Sequence, residues 1–512
     1  MNTTSRLLTA GLLALSLAAC GTGGGEKAAD DSLTMMVPLF GTAPDPKGEV
    51  QTAVEKLLGK KLSITWVPNA EYPDKTNVTL ASGNIPDVMV IQDQKGPQFV
   101  KTAEAGAFWD LTDKLDKYPN LKSKSEQAWL NSKTNGKNYG VYRVRPLLRS
   151  AVMIRKDWLD KLGLKMPETT EDLYTIAKAF TEKDPDGNGK KDTYGMILPK
   201  WPSPNFSASS PYNVIDVWFG APNNYGIRDG KLVTEYDVPE FWEAQKYLKR
   251  FVDEGLVNPD WATLDTAKWN DPFVAGKGGI IIDVNVRAGQ LYDLFKEKDP
   301  TGYMNKVAMA GNLKRPDGQK FSYPFTGFNG IIAVSKARVR TEQQLDDVLK
   351  TLDKLASKEG SVLVSNGIEG RNFKVEDGLA YRVNDQDPAM KTIANDVDKA
   401  FIQLGTTSSV GVPGDAYEWG RPSPEEKAWI KQREELAALD LETAVHDPSL
   451  PHISRTMTEK GATLSPIPTD ARIKFLAGQI TEEQLKAEFQ RWHTSGGDQI
   501  LAEFQGLIGK TG

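Results

Sequence analysis

The chain has 512 residues, 39% of them hydrophobic and 26% charged, with a formal net charge of −5. That length fits roughly 2 to 4 domains with sizeable cores, and the mild negative balance excludes a strongly basic nucleic-acid binder or a polybasic membrane-surface protein. Twelve tryptophans are a rich supply, available both to cores and to ligand stacking.

The first element is a charged start at Arg6 followed by an apolar run from Leu7 to Ala19, closing on "LAAC" with the single cysteine, Cys20. Charged start, apolar middle and small residues at a cut are the layout of a secretory signal. The run is shorter than the about 20 apolar residues of a spanning helix. A cysteine directly after small residues resembles the bacterial lipobox, in which the thiol is diacylated and becomes the new N-terminus; the alternative is an ordinary signal peptide with an incidental cysteine. Residues 1–19 are expected as signal peptide and 20–31, "CGTGGGEKAADD", as lipidated Cys20 and flexible tether. The expected location is the extracytoplasmic face of the bacterial cell membrane.

Ser32 to Phe40 reads as a strand, and "GEVQTAVEKLLGKKL" places Val50, Val54, Leu57 and Leu58 at helical spacing before stopping at Gly59. "SITWVPN" and Asp87 to Ile91 are further strands. Alternation of this kind predicts a parallel α/β sheet, with ligand beyond the carboxyl ends of its strands. The loops after Phe40 and Ile91 are therefore cleft candidates. In "AVMIRKDWLDKLGLKMPETTEDLYTIAKAF" a strand precedes a helix closing at Gly163 and a second helix capped near Thr169 or Thr170. "EFWEAQKYLKRFVDEGL" is an amphipathic helix, "FVAGKGGIIIDVN" and "NGIIAVSKA" hold buried strands, and two helices flank Gly496 and Gly497.

Between these elements, "KDPDGNGKKDTYG" (Lys183 to Gly195) sets Asp184, Asp186, Asn188 and Asp192 in the order of a calcium loop of EF-hand type, with the Lys190 carbonyl as a further donor. Three acidic groups within nine residues would repel one another without a cation. The same Asp-Gly and Asn-Gly pairs also form metal-free turns. Position 12 is Gly195, without the bidentate carboxylate of a full hand, and no second hand is present. A structural Ca²⁺ is the expected cofactor.

Together "GNIPDVMVI", "IRKDWLDKLGLKMPETTEDL", "DPDGNGKKDTYG", "FVAGKGGIII", "IAVSK" and "GIEGRNF" resemble the extracellular solute-binding lipoproteins of bacterial ABC importers, in the branch of LipO-type and alginate-oligosaccharide-binding proteins. The resemblance runs from about Leu33 to the C-terminus. It implies an α/β fold of two discontinuous lobes joined by hinge crossings, the periplasmic-binding-protein type II arrangement. Crossings are expected near Arg149–Val152, Phe325–Gly330 and Val364–Glu369. The N-terminal lobe would take 32–150 and 330–365, and the C-terminal lobe, with the calcium loop, 151–329 and 366–512. Calcium-binding alginate relatives place an acidic ligand where this chain has Thr193, leaving a weaker hydroxyl or a water. The implied partners are ABC permease subunits, the membrane lipid and a ligand; the implied form is a monomer.

A saccharide site needs aromatic faces and a few placed polar groups. Trp218, Trp269 and Trp419 lie in Gly/Pro/Asn-rich settings, with Tyr142 ahead of the first crossing and Phe40 at a strand end. Each loop tryptophan is open to either ligand stacking or local packing, whereas Trp158 and Trp242 sit inside amphipathic helices and are expected to pack. Asp283, Asn285, Glu369 and Arg371 are the polar candidates. Arg143, Arg145 and Arg149 cluster before the first crossing, and arginine forks suit carboxylates; an acidic, uronate-containing saccharide and pairing with protein carboxylates are the two readings. His446, His452 and His493 form no H-E-x-x-H motif, and no G-x-S-x-G elbow, P-loop or dinucleotide fingerprint is present. Paired carboxylates of a glycosidase leave no spacing signature. The expected function is a non-enzymatic oligosaccharide receptor of an ABC importer; the alternative is a lipid-anchored carbohydrate-active hydrolase or lyase, and a peptide ligand is also open.

Overall fold

The computed structural model describes residues 32–122, 125–201, 209–405, 416–421 and 423–508. Signal segment, Cys20 and tether lie outside these residues. No described helix is long and apolar enough to cross a membrane.

The first lobe is a five-stranded sheet in the order Leu62–Pro68, Leu33–Leu39, Val88–Ile91, Phe328–Val334, Gly140–Val144. Its first three strands are parallel, with Leu33 opposite Leu62 and Met35 opposite Val88. Phe328–Val334 enters antiparallel to both of its neighbours. The second lobe is a four-stranded sheet ordered Val307–Ala310, Ser150–Arg155, Gly278–Val284, Tyr194–Met196. Both sheets are thus mixed, where strand–helix alternation predicts parallel ones. Strands that return from the other lobe, Phe328–Val334 in the first sheet and Ser150–Arg155 in the second, lie inside their sheets and are free of the crossover rule, which binds only consecutive parallel strands.

Local chemistry explains the helices that frame the second sheet. Lys156–Leu162 closes at Gly163, whose φ of 65° is the left-handed cap that glycine adopts without strain. Thr170–Glu182 starts from a capping box in which Thr169 and Asp172 satisfy each other's backbone N–H groups.

Two connections between the lobes run side by side. The Arg145 N–H donates to the Gly327 carbonyl at 2.8 Å, and the Phe325 N–H to the Leu147 carbonyl at 2.7 Å. The third connection differs from expectation. Val364 is fully buried in the first core, and Met390, Ile393 and Val397 of the helix Pro388–Lys399 join it there. The hairpin of Phe373–Glu376 and Leu379–Arg382 is extended by Trp419, which bridges Ala380. Only beyond Gly420 does the chain pass to the second lobe, where Trp429 and Ile430 of Pro424–Leu441 enter that lobe's core. Residues 366–404 therefore belong to the first lobe, not the second. Apolar residues at i, i+3 and i+7 declare a buried helix face but not which sheet it covers.

Candidate functional site

A cavity of about 820 Å³ opens at the junction of the lobes. The first lobe contributes the turn after Ile91, with Asp93, Lys95, Gly96 and Pro97; the second supplies the remaining wall. Lys95 Nζ reaches the carbonyl of Leu450 and, at 3.1 Å, that of His452. The Asn135 side chain accepts the Ile453 N–H at 3.0 Å. Two loops of one lobe thus clasp a single short segment of the other.

The wall is rich in aromatic rings: Trp201, Tyr212, Tyr225, Tyr236, Trp492 and Phe504. Tyr236 stacks on Phe489 at 4.5 Å, and Tyr225 meets Phe504 edge-on at 5.4 Å, so the rings are braced rather than loose. Among them are Asn213, Asn224, Glu235, Asp447 and Arg472. Arg472 pairs with the buried Asp216 at 2.8 Å and also donates to Gln245. Burial and the neighbouring Asp216 and Asp447 push the Glu235 carboxyl up to about 8. Burial pushes Asp447 to about 6 despite donors from Ser449 and Asn224. Lys95 is pushed down to about 8 by burial, against the pull of Asp447 and Asp93. Braced rings with a few fixed polar groups suit a ligand with CH-rich faces and many hydroxyls.

The matching family model is the bacterial extracellular solute-binding protein, over residues 47–312. Lipoprotein LipO of Bacillus subtilis (strain 168) is 37% identical over 501 residues, covering 97% of this chain and 96% of the relative. The chain belongs to the bacterial extracellular solute-binding protein family. Polygalacturonan/rhamnogalacturonan-binding protein YtcQ, also of Bacillus subtilis (strain 168), is 33% identical and covers 94% of this chain and 92% of its own. Among solved structures, an HMO-binding, ABC-transporter-associated solute-binding protein from Bifidobacterium longum infantis superposes with a TM-score of 0.72 at 18% identity, covering 94% of this chain and 99% of that one. Its two lobes are the fold shared here.

In this solute-binding protein the turn after Ile91 lines the cavity, but none of the ten ligand residues expected from sequence does. Trp218 and Trp269 are fully buried core residues, a correction to their expected stacking role. Their indole N–H groups are spent on Asn312 Oδ1 at 2.8 Å and the Ile197 carbonyl at 2.9 Å. Trp419 lies under Arg382 at 4.3 Å and edge-on to Phe373. Tyr142 is buried in its strand against Trp129. Arg371 makes a two-pronged surface pair with Glu49, and Glu369 is exposed beside it. Phe40 is half exposed at the end of its strand, its N–H bonded to the Lys399 carbonyl. Asp283 is buried in an ion pair with Arg287, and the Asn285 N–H donates to the Arg149 carbonyl at 2.6 Å. Arg145 stands on the first crossing. Trp158 and Trp242 pack in the second core as expected. "DVWFGAPNNYG" pointed to the right loop and the wrong ring: Tyr225 faces the cavity, and Trp201 sits in the equally Pro/Ser-rich "KWPSP".

The Asp184 loop folds tightly on itself. Asp184 accepts the N–H groups of Gly187, Asn188 and Gly189 at 2.9–3.1 Å. The Asn188 amide touches Asp186 at 2.7 Å and Asp192 at 3.1 Å, while Lys190 donates its N–H to Asn188. Lys277 pairs with the outer oxygen of Asp192 at 2.6 Å. Among the described residues no three His, Cys, Asp or Glu side chains form a metal cluster; the oxygens meet through the Asn188 amide instead. This oxygen-rich set suits a hard cation such as Ca²⁺. Thr193 does not help, because its hydroxyl donates to the Phe180 carbonyl at 2.8 Å inside the protein. Gly195 cannot be an acidic ligand either: a Cβ there would lie 2.4 Å from the Ala177 carbonyl. Packing of the short strand on its helix is what truncates the hand.

Proposed function

We propose that this protein is the extracytoplasmic saccharide receptor of an ABC importer, a monomer held to the membrane by lipid on Cys20. The ligand is trapped at the lobe junction and handed unchanged to the permease. The observation that carries the reading is the aromatic-walled cavity clasped by both lobes through Lys95 and Asn135. The saccharide name of YtcQ, at 33% identity over nearly the whole chain, supports it. Asp184, Asp186, Asn188, Asp192 and the Lys190 carbonyl would hold a structural Ca²⁺, whose charge would offset the loop's carboxylates and stiffen the second lobe.

Glu235 and Asp447 are two carboxyls with separated proton affinities, the feature a glycosidase would share. Incubation with a plant and algal oligosaccharide mixture tests both readings. Stoichiometric uptake with every ligand recovered intact supports the receptor; catalytic loss of a substrate sinks it.

A further inference from the structure

We infer that Arg472 is a fixed donor of the cavity wall, aimed from behind by Asp216 and Gln245, and that it reads uncharged oxygens of the ligand rather than a charge. This rests on the receptor reading above and names a residue that sets what the site discriminates.

Three helices far apart in the chain meet behind the cavity: Pro211–Trp218, Pro239–Asp253 and Pro466–Leu476. Each contributes one polar side chain. Asp216 and Gln245 are fully buried and lie off the cavity lining, whereas Arg472 is part of it. Arg472 Nη2 lies 2.9 Å and 2.8 Å from the two oxygens of Asp216, and its Nε donates to Gln245 Oε1 at 2.9 Å. The Gln245 amide closes the triangle by donating to Asp216 Oδ1 at 2.8 Å. The guanidinium also faces two rings, 5.5 Å from Tyr212 and 5.4 Å from Phe241, and both rings line the cavity.

Every one of these constraints acts on Nε, on Nη2 or on the faces of the guanidinium. Nη1, with two N–H groups, has no partner among the described residues. A buried ion pair gains a fold little over apolar residues of similar volume, so stability is a weak reason for three polar groups here. Holding a donor in one rotamer is a stronger one, because a pre-set side chain loses little freedom when the ligand arrives. Burial pushes the Asp216 carboxyl up to about 6 against the pull of Arg472, so above that pH the pair is ionised. Asp216 then answers the charge of Arg472. What the pair turns to the cavity is a polarised N–H group with no net charge behind it, which suits a sugar hydroxyl or ring oxygen.

The experiment is calorimetric titration of the full chain above that pH, at low and at high salt. A thermal-shift screen of cellotriose, xylotriose, galactotriose and trigalacturonate first selects the probe that the parent binds most tightly. Two variants are compared with the parent. Arg472→Lys keeps the charge and its pairing with Asp216 but loses the planar fork. The triple variant Arg472→Met, Asp216→Leu, Gln245→Met replaces the whole triangle by apolar groups and leaves no buried charge unpaired. The expected result is that the triple variant melts close to the parent, yet both variants bind the probe about tenfold or more weakly. That loss is the same at low and high salt, since no net charge is being read. Parent affinity in either variant overturns the inference, marks the triangle as structural and leaves the receptor reading standing. A loss that shrinks at high salt also overturns it, because Arg472 would then be answering a charge on the ligand. No binding of any probe by the parent removes the receptor reading, and this inference with it.

Discussion

Lys95 Nζ on the first lobe lies 3.1 Å from the His452 carbonyl on the second, and the same ammonium also takes the Leu450 carbonyl. A charged donor bridging two backbone acceptors ties the lobes together without needing the ligand. We expect the contact to favour closure of the lobes rather than to read the ligand. Lys95→Met is expected to weaken binding of every saccharide ligand by a similar factor, about tenfold for a hydrogen bond to a charged group. Calorimetry with two unrelated ligands checks it; a loss confined to one ligand would mean that Lys95 reads the ligand itself.

Glu235 and Asp447 hold their protons more tightly in the folded state, up to about 8 and about 6. Between the ordinary carboxylate range and about pH 8 the folded chain binds more protons than the unfolded one, so these groups make stability fall as pH rises. Glu235→Gln has no proton to lose. Its melting temperature should match the parent near pH 4 and exceed it near pH 8. Parallel melting curves for the two proteins across that range would contradict the placement of Glu235.

Chelation with EGTA should lower the melting temperature while leaving ligand affinity at low temperature unchanged, since the Asp184 loop lies apart from the cavity lining. Asp186→Asn should abolish the calcium dependence. Melting that ignores calcium in the parent protein would leave the loop as a metal-free turn.

The buried and cavity-facing tryptophans should behave oppositely. Trp269→Ala removes a fully buried indole with a satisfied N–H and is expected to cost about 3–5 kcal/mol of stability. Trp201→Ala removes a ring only partly buried against the second-lobe core, so it should cost less stability than Trp269→Ala but reduce saccharide affinity about tenfold or more. Urea unfolding and calorimetry on both variants decide between the assignments, and the reverse pattern would restore Trp269 as a ligand residue.

Cys20→Ser should release the protein from membranes, measured by fractionation of whole cells. Continued membrane association of the variant would remove the lipid anchor.

Much of the fold was legible because its signals are local. Glycine caps at Gly59 and Gly163, the Thr169 capping box and the break at Gly496 act within one helical turn, and all appear where the sequence puts them. The turn after Ile91 was legible too, because a strand's carboxyl end is where such folds place ligand. The aromatic assignments were not. Composition around Trp218 and Trp269 says loop, yet each ring points into a core that is assembled from strands far away in sequence.

The sequence by itself determined the element types, the likeness to solute-binding lipoproteins, the donor order of the Asp184 loop and the arginine cluster before the crossing. Each depends on neighbours in the chain. Only the tertiary structure decided that residues 366–404 stay with the first lobe, that Gly195 is held side-chain-free against Ala177, and that the Nε atoms of Arg143 and Arg149 are buried without a hydrogen-bond partner. Those facts depend on which distant surfaces meet, and burial and charge pairing are properties of that meeting rather than of any local pattern.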